Sequence, residues 1–400
     1  MKKWWLLLLL LLLLAVVLGG WFLLKESPSG SVISPLFPQS GPAQSRFKLP
    51  QRTEWTLLLT GDIIPARVVN QKMVAKNDFN WPLVNIAPIL KDADLTLINL
   101  ESPLLVKCPI TNEGFKFCGD YRFAQALADS GVDVANLANN HSLNYGWEGL
   151  AETEEHLQEM GIETTGFTTN SPQPLLPRGE NSLSPFVREG GGELCQKDIY
   201  CSKLVTKNIQ ICDLSHFNSP AQKYAIARNC DSVVGTIKVG FIGYNAVGQT
   251  VDRELVEQEI RAADKQVDIL ILSVHWGKEY ERTPKSDPSL ASDDPKELGR
   301  LFIDWGADVV VGNHPHWYQS LDFAQDKKGK YKPIFYALGN TIFDQEWSPE
   351  TKVGYLAKLK FVGTEIKREN IEIIPIGIRD YGQAYVLEGK EKEKVLQELD

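Results

Sequence analysis

The chain has 400 residues, of which 43% are hydrophobic, and a formal net charge of −9. That length supplies one large domain or two ordinary ones, with enough apolar material for a sizeable core. The negative balance argues against nucleic acid as a partner and against a broad basic groove, leaving only local basic pockets.

In chain order, Lys2 and Lys3 precede an unbroken apolar run from Trp4 to Leu24, closed by Lys25. A helix over 4–24 would be roughly 31 Å long at about 1.5 Å per residue, enough to cross a hydrocarbon core of about 30 Å. The run is longer than the apolar part of a cleavable signal, and its only late small residues, Gly19 and Gly20, are followed by Trp21, Phe22, Leu23 and Leu24. The sequence therefore predicts an uncleaved single-pass anchor. Lys2 and Lys3 stay inside, and the rest of the chain is extracytoplasmic at the cell membrane. Residues 26–50, rich in Pro, Ser and Gly, read as a spacer.

From residue 55 the rhythm is strand, loop, helix. WTLLLTGD and DLTLINLE read as strands, RFAQALADSG as a helix closed by Gly131, VDVANLANNH as a third strand, and WEGLAETEEHLQEMG as an amphipathic helix with a glycine stop. Residues 168–235 break this pattern with Pro172, Pro174, Pro177, Gly190-Gly191-Gly192 and four cysteines, and read as an insertion. The rhythm resumes with TIKVGFIGYN, a helix near 252–265, the strand VDILILSVHW, a helix near 294–305, and DVVVGNHPH. Strands alone are expected thereafter, from KPIFYALGN to QAYVLEG. Alternating elements followed by a β-rich tail predict an α/β domain over 55–388 whose second sheet is built late.

The six cysteines are even in number, and none forms a Cys-x-x-Cys pair. Outside the membrane they read as disulfides. Six cysteines allow 15 pairings. The sequence-local choice is Cys108–Cys118, Cys195–Cys201 and Cys212–Cys230.

Five predicted strands end in polar side chains of metal-binding type: Gly61-Asp62, Asn99-Leu100-Glu101, Asn139-Asn140-His141, His275-Trp276-Gly277 and His314-Pro315-His316. Ligands of open α/β sheets gather beyond the carboxyl ends of the strands, so these ends are expected to converge. Carboxylate, amide and imidazole donors together suit one or two divalent ions, Zn, Mn or Fe. Four of the six histidines fall at strand ends. His156, on the helix, and His216, in the insertion, are read as structural or solvent-facing.

The ordered set LLLTGD, INLESP, NNHSLNYG, HWGKEY, GADVVVGNHPHWYQSL and YALGNTIFD resembles the capsule-synthesis CapA and poly-γ-glutamate-synthesis (PgsA-like) proteins, whose domain looks like a divergent calcineurin-like metallophosphoesterase. The resemblance implies a four-layer α/β/β/α sandwich, an N-terminal anchor, and an anionic surface polymer or its precursor as partner, together with a membrane synthase complex. It also implies that Asp62, Glu101 and His316 hold one metal. Glu101, Asn140, His275 and His314 hold the better-provided second metal, and His141 faces the substrate. Glu101 and His141 would be the catalytic pair, in metal-assisted hydrolysis or transfer. Glu279, Tyr280 and Arg67 would line the substrate cleft, with Asn144 and Asn340 bracing the site. The chain departs from the family pattern twice, with Ile64 where a first-strand histidine is expected and Asn144 where an aspartate is expected. Those departures sustain an alternative: a tethered, non-catalytic subunit that binds or exports polymer around a weakened metal site.

Overall fold

The computed structural model describes residues 53–167, 202–212 and 233–399. The expected anchor and spacer lie outside these residues, as do Cys195, Cys201, Cys230 and His216. No helix among the described residues is long and apolar enough to cross a membrane.

The fold is mixed α/β, built on two sheets with parallel centres. The first holds β1 (Glu54–Ile63), β2 (Leu95–Leu100), β5 (Val134–Asn136) and β6 (Glu163–Thr165), all parallel, with β13 (Asn340–Ile342) also parallel to β1. On the other side of β1 it continues antiparallel through β14 (Val353–Val362), β15 (Ile371–Arg379) and β16 (Gln383–Val386). The second sheet runs in the order β11 (Leu321–Gln325), β12 (Tyr331–Phe335), β10 (Val309–Asn313), β9 (Ile269–His275), β8 (Val233–Asn245), β7 (Val205–Cys212). A two-residue pair, β3 (Leu104–Leu105) with β4 (Gly119–Asp120), brackets a surface loop.

The period-2 alternation of strand side chains divides the core. Leu57 and Leu59 of β1 pack with Val239, Phe241, Ile271 and Val311 of the second sheet. Leu58 and Ile63, on the opposite face, pack with Val69 and Met73 of helix α1 (Val68–Lys76) and Leu90 of α2 (Ala87–Asp92). Leu127 of α3 (Phe123–Asp129) and Leu157 of α4 (Gly146–Glu159) join the same cluster. The outer face of the second sheet is covered by Ile260 of α5 (Arg253–Asp264) and Phe302 of α6 (Pro295–Trp305). Both of these helices start at aspartate caps: Asp252 accepts from Leu255 N, and Asp294 from Lys296 N and Glu297 N.

Three expectations need correction. The late strands divide: β12, from KPIF, joins the second sheet beside β10, whereas β14, β15 and β16 extend the first sheet through the pairing of β14 with β1. The stretch read as an insertion contributes β7, which pairs with β8 from Val205 opposite Phe241 to Cys212 opposite Val233. Of the residues 205–211, only Val205 and Ile209 are buried, and Thr206, Asn208 and Gln210 are exposed, so this edge strand carried a weak apolar signal. Finally, the chain ends in a helix, α7 (Gly389–Leu399). Its sequence is largely charged, and a narrow stripe of Val395 and Leu399 docks beside Leu387 at the margin of the inter-sheet core.

Candidate metal centre

The carboxyl ends of β1, β2, β9 and β10 and the loop after β5 meet where the two sheets abut. Asp62 leaves β1 through a bulge in its pairing with β2 and β13. Its N–H donates to Gly339 O at 3.0 Å. A Cβ on the preceding Gly61 would lie 1.8 Å from that same oxygen, so only glycine permits the approach. From the second sheet, His314 N points at Asp62 Oδ2 at 3.4 Å, and His316 Nδ1 lies 3.2 Å from Asp62 Oδ2. Asn99 Nδ2 donates to Asp62 Oδ1 at 2.9 Å. His275 Nε2 lies 2.9 Å from Asn140 Oδ1 and 3.4 Å from Glu101 Oε1. His141 Nε2 lies 3.9 Å from Glu101 Oε1.

These side chains form two buried donor groups that share one carboxylate. Glu101, His275 and His314 make one, and Asp62, Glu101 and His316 the other, with ligand atoms in each group within 4.8 Å of one another. Asn140 stands with the first group through His275. The backbone is strained to achieve this: His314 (φ 97°), His316 (φ 58°), Tyr280 (φ 57°) and Arg67 (φ 50°) are non-glycine residues with positive φ. Such conformations persist where surrounding packing imposes them, and they concentrate at functional sites.

The donor set fits a cation. Glu101 is fully buried, yet neither carboxylate oxygen has a hydrogen-bond partner. His275 Nδ1 and both ring nitrogens of His314 are likewise buried without partners. Buried polar atoms are ordinarily paired, and an unpaired one costs about 1–3 kcal/mol. Orphaned lone pairs on carboxylate and imidazole, aimed at one another, are what a divalent ion satisfies.

The electrostatics agree. Burial, with the Asp62 charge beside it, pushes the Glu101 carboxyl well above the usual carboxylate range. Burial lowers His275 and His141 to about 4 each and takes His314 well below its ordinary value. Burial also opposes charge on His316, but the Asp62 hydrogen bond and the nearby carboxylates outweigh it and raise the ring to about 9. Asp62 stays below its ordinary value because His316 outweighs its burial.

The chain matches the family described as bacterial capsule synthesis protein PGA_cap over residues 56–177 and 203–345. It belongs to that family. It is 25% identical over 377 residues to the capsule biosynthesis protein CapA of Bacillus anthracis, covering 92% of this chain and 78% of that protein. It is 25% identical over 340 residues to the PGA biosynthesis protein CapA of Bacillus subtilis (strain 168), covering 84% of this chain and 75% of that protein. A solved putative 5′-nucleotidase from Staphylococcus aureus, in complex with alpha-ketoglutarate, is 12% identical with a TM-score of 0.38. It covers 86% of this chain, which spans 57% of that one. The PGA_cap match omits 178–202, a narrower segment than the insertion expected at 168–235.

Around this PGA_cap centre, Asn340 Oδ1 accepts from His316 Nδ1 at 2.9 Å while its Nδ2 donates to Thr351 O, so it fixes that ring. Asn144 Oδ1 accepts from Phe117 N at 2.6 Å and lies 3.0 Å from His141 Nδ1. Arg67 forms an ion pair with Asp344, and its guanidinium lies over the rings of Phe117 and Phe343, so it is already engaged at the rim. Tyr280 rests beside His316, with ring centroids 5.9 Å apart, and its hydroxyl accepts from Gln345 at 2.9 Å. Glu279 is half-buried beside it. Ile64, at the position of the expected histidine, is fully buried in a small apolar cluster with Ala66, Phe117 and Phe343.

Cys108 and Cys118 are joined as a disulfide, Cα–Cα 5.7 Å, closing the loop that carries Phe117 against the His141 ring at 4.2 Å. His156 lies apart on α4, near Glu152 and Glu159 and against Tyr121. Sequence reasoning missed the parts played by Phe117, Asp344, Gln345 and Asn99. Asn99 alone carried a signal, because it lies two residues before Glu101 and so shares its strand face.

Proposed function

We propose that this chain is a membrane-anchored, extracytoplasmic protein of metallophosphoesterase type, with a four-layer α/β/β/α architecture. It performs metal-dependent hydrolysis or transfer during synthesis of a capsule or poly-γ-glutamate-type surface polymer. The observation that carries this reading is Glu101: a buried carboxylate with no hydrogen-bond partner, shared between two groups of histidine and acid donors. Asp62, Glu101 and His316 would hold one divalent ion, and Glu101, Asn140, His275 and His314 another. An ion held there supplies Lewis-acid polarisation of the oxygen under attack and a nucleophile usable at neutral pH.

The protein's own groups do the rest. Asn144 Oδ1 already accepts the Phe117 N–H, so its contact with His141 requires the proton on Nδ1. Nε2 of His141 then presents a lone pair toward Glu101. With its pKa lowered to about 4 by burial, His141 is neutral at pH 7. It serves better as a proton acceptor at Nε2 than as a proton donor to a leaving group. The names of the Bacillus relatives, capsule and PGA biosynthesis, support an anionic surface polymer or its precursor as substrate and a membrane synthase complex as partner. The anchor reading is supported by the apolar run Trp4–Leu24.

A second reading, a non-catalytic subunit that holds or exports polymer, is favoured by one feature: Ile64 fills a donor position with hydrocarbon. The two separate in one experiment. Full-length protein in detergent is stripped with chelator, reloaded with Zn²⁺, Mn²⁺ or Fe²⁺, and assayed on a generic phosphodiester and on poly-γ-glutamate. Turnover that depends on the added ion and vanishes in His275→Ala supports the enzyme. Full metal loading with no turnover on either substrate supports the non-catalytic subunit. Cell fractionation tests the anchor, and a soluble mature form beginning near residue 20 would reject it.

A further inference from the structure

We infer that the groove between the β11–β12 and β14–β15 hairpins is a second binding site, one that takes a polycarboxylate chain. The groove stands on its own charge and shape; the choice of carboxylates over other polyanions rests on the surface-polymer reading above. Its place in the fold separates it from the metal centre. β12 runs parallel to β10, so Lys330 and Lys332, at its amino end, lie at the opposite end of the second sheet from His314 and His316. β14 runs antiparallel to β1 with Val362 opposite Glu54, so residues 363–370 lie at the amino end of β1. From Glu54 to Asp62 along β1 is about 26 Å at about 3.3 Å per residue. The groove therefore joins the two sheets at the end away from the centre, and Lys330 Nζ, 3.0 Å from Glu365 Oε1, ties the two hairpins together.

Positive charge is concentrated there. Of the fifteen residues in 326–332 and 363–370, six are Lys or Arg, whereas the whole chain has 42 in 400. Four acids stand against these six: Asp326, Glu365, Glu369 and Asp308, the last paired with Lys332. The local balance is thus +2 in a chain of −9. Asp326 is held within its own turn, where it accepts the N–H groups of Lys328 and Lys330 at 2.8 Å each. Among the described residues Lys327, Lys328, Lys367 and Arg368 form no ion pair, and all four are exposed. The groove has a volume of about 520 Å³ and is lined by half-buried Phe323 and Ile366 together with Lys330, Lys367 and Arg368. The Arg368 guanidinium lies over the Phe323 ring, 5.4 Å from its centroid. That combination suits a chain of carboxylates spaced by methylene groups. The methylenes pack on Phe323 and Ile366, the Arg368 fork matches a carboxylate, and a concave wall of one sign concentrates anions. A lipid surface is flat and cannot enter a groove between two hairpins. Held here, a long polymer is presented to the distant centre at raised effective concentration.

The test is binding and its location, with no assay of turnover. Full-length protein in phosphatidylcholine nanodiscs is titrated with poly-γ-glutamate, and hydrogen exchange reads where the polymer sits. The polymer should slow exchange over 326–332 and 363–370, and its affinity should fall as salt is raised. Lys328→Gln, Lys367→Gln and Arg368→Gln combined should weaken binding about 10-fold, since each exposed ion pair contributes a factor of about 1.5 to 5. All three side chains are exposed, so the fold should be unaffected, and equal thermal melts check this. Full affinity in the triple variant overturns the inference. Protection of these two segments by phosphatidylglycerol nanodiscs, with none from the polymer, also overturns it and assigns the groove to the membrane. Protection confined to the loops of the metal centre overturns the groove while leaving the surface-polymer reading standing. Absence of polymer binding at every segment overturns both.

Discussion

Glu101 Oε1 lies 3.4 Å from His275 Nε2, and neither oxygen of this fully buried carboxylate accepts a hydrogen bond. β2 delivers the acid and β9 the imidazole, so the contact joins the two sheets. Without a cation the arrangement is costly, because burial and the neighbouring Asp62 charge oppose ionisation of Glu101 and no hydrogen bond offsets them. Glu101→Gln should therefore stabilise the metal-free protein by on the order of 1 kcal/mol while abolishing loading of both donor groups. Thermal melts with chelator and with Mn²⁺ check both halves; a lower melting temperature for the metal-free variant would contradict the account.

The histidines should separate by group. His275→Ala and His314→Ala are each expected to lower occupancy of the first group by on the order of 100-fold in affinity, since few fixed donors remain to compete with water. His316→Ala should affect only the second ion. His156→Ala, a control on α4, should leave metal content at the wild-type level. Metal analysis after dialysis reads all four, and equal losses in every variant would indicate unfolding instead.

Stability of the metal-free protein should fall on both sides of neutrality. His316 is raised to about 9 in the folded state, so its contribution is complete below about 6.5, the unfolded value, and is lost as pH rises through 9. His275 and His141 are lowered to about 4. Between 6.5 and 4 the unfolded chain binds more protons at these rings, so stability is lost as pH falls through that window. Urea unfolding with chelator at pH 5, 7 and 9 should show the maximum near 7. His316→Gln should flatten the alkaline limb and His275→Gln part of the acid one.

Asn144 should be structural for His141. Asn144→Ala strands the Phe117 N–H and His141 Nδ1 and should cost about 1–3 kcal/mol. Asn144→Asp supplies a charged acceptor and should raise the pKa of His141 from about 4 toward neutrality, measurable by NMR titration of the imidazole. An unchanged titration in Asn144→Asp would mean the side chain does not face the ring.

The Cys108–Cys118 bridge should hold the wall of the site. In the chain-entropy treatment, closing a short loop contributes about 2–3 kcal/mol, so Cys108→Ser with Cys118→Ser should lower stability by that amount. It should also loosen Phe117 against His141, seen as increased hydrogen exchange over 109–118. Exchange equal to wild type there would show that packing alone holds the loop.

What the sequence determined by itself was the chemistry and its order. Apolar runs ending in Asp62, Glu101, His275 and His314-Pro315-His316 are local patterns, and strand ends in an α/β fold face one crevice because the chain must reverse there. The helices at 147–160 and 294–305 were equally legible, since their stop signals, Gly161 and Gly306, are local. Other features depended on partners far along the chain. The last three strands joined the first sheet because β14 found β1, some 300 residues earlier, while β12 stayed with the second sheet. β7 and α7 were hidden because each buries only a thin apolar stripe. The division of six donors into two groups around Glu101, the engagement of Arg67 by Asp344, and the seating of Ile64 among Phe117 and Phe343 are all contacts between separate elements. The first of these joins the two sheets and the other two join loops around the first sheet, and only tertiary packing decided them, since spacing along a chain specifies which face a residue takes but not which residue it will meet there.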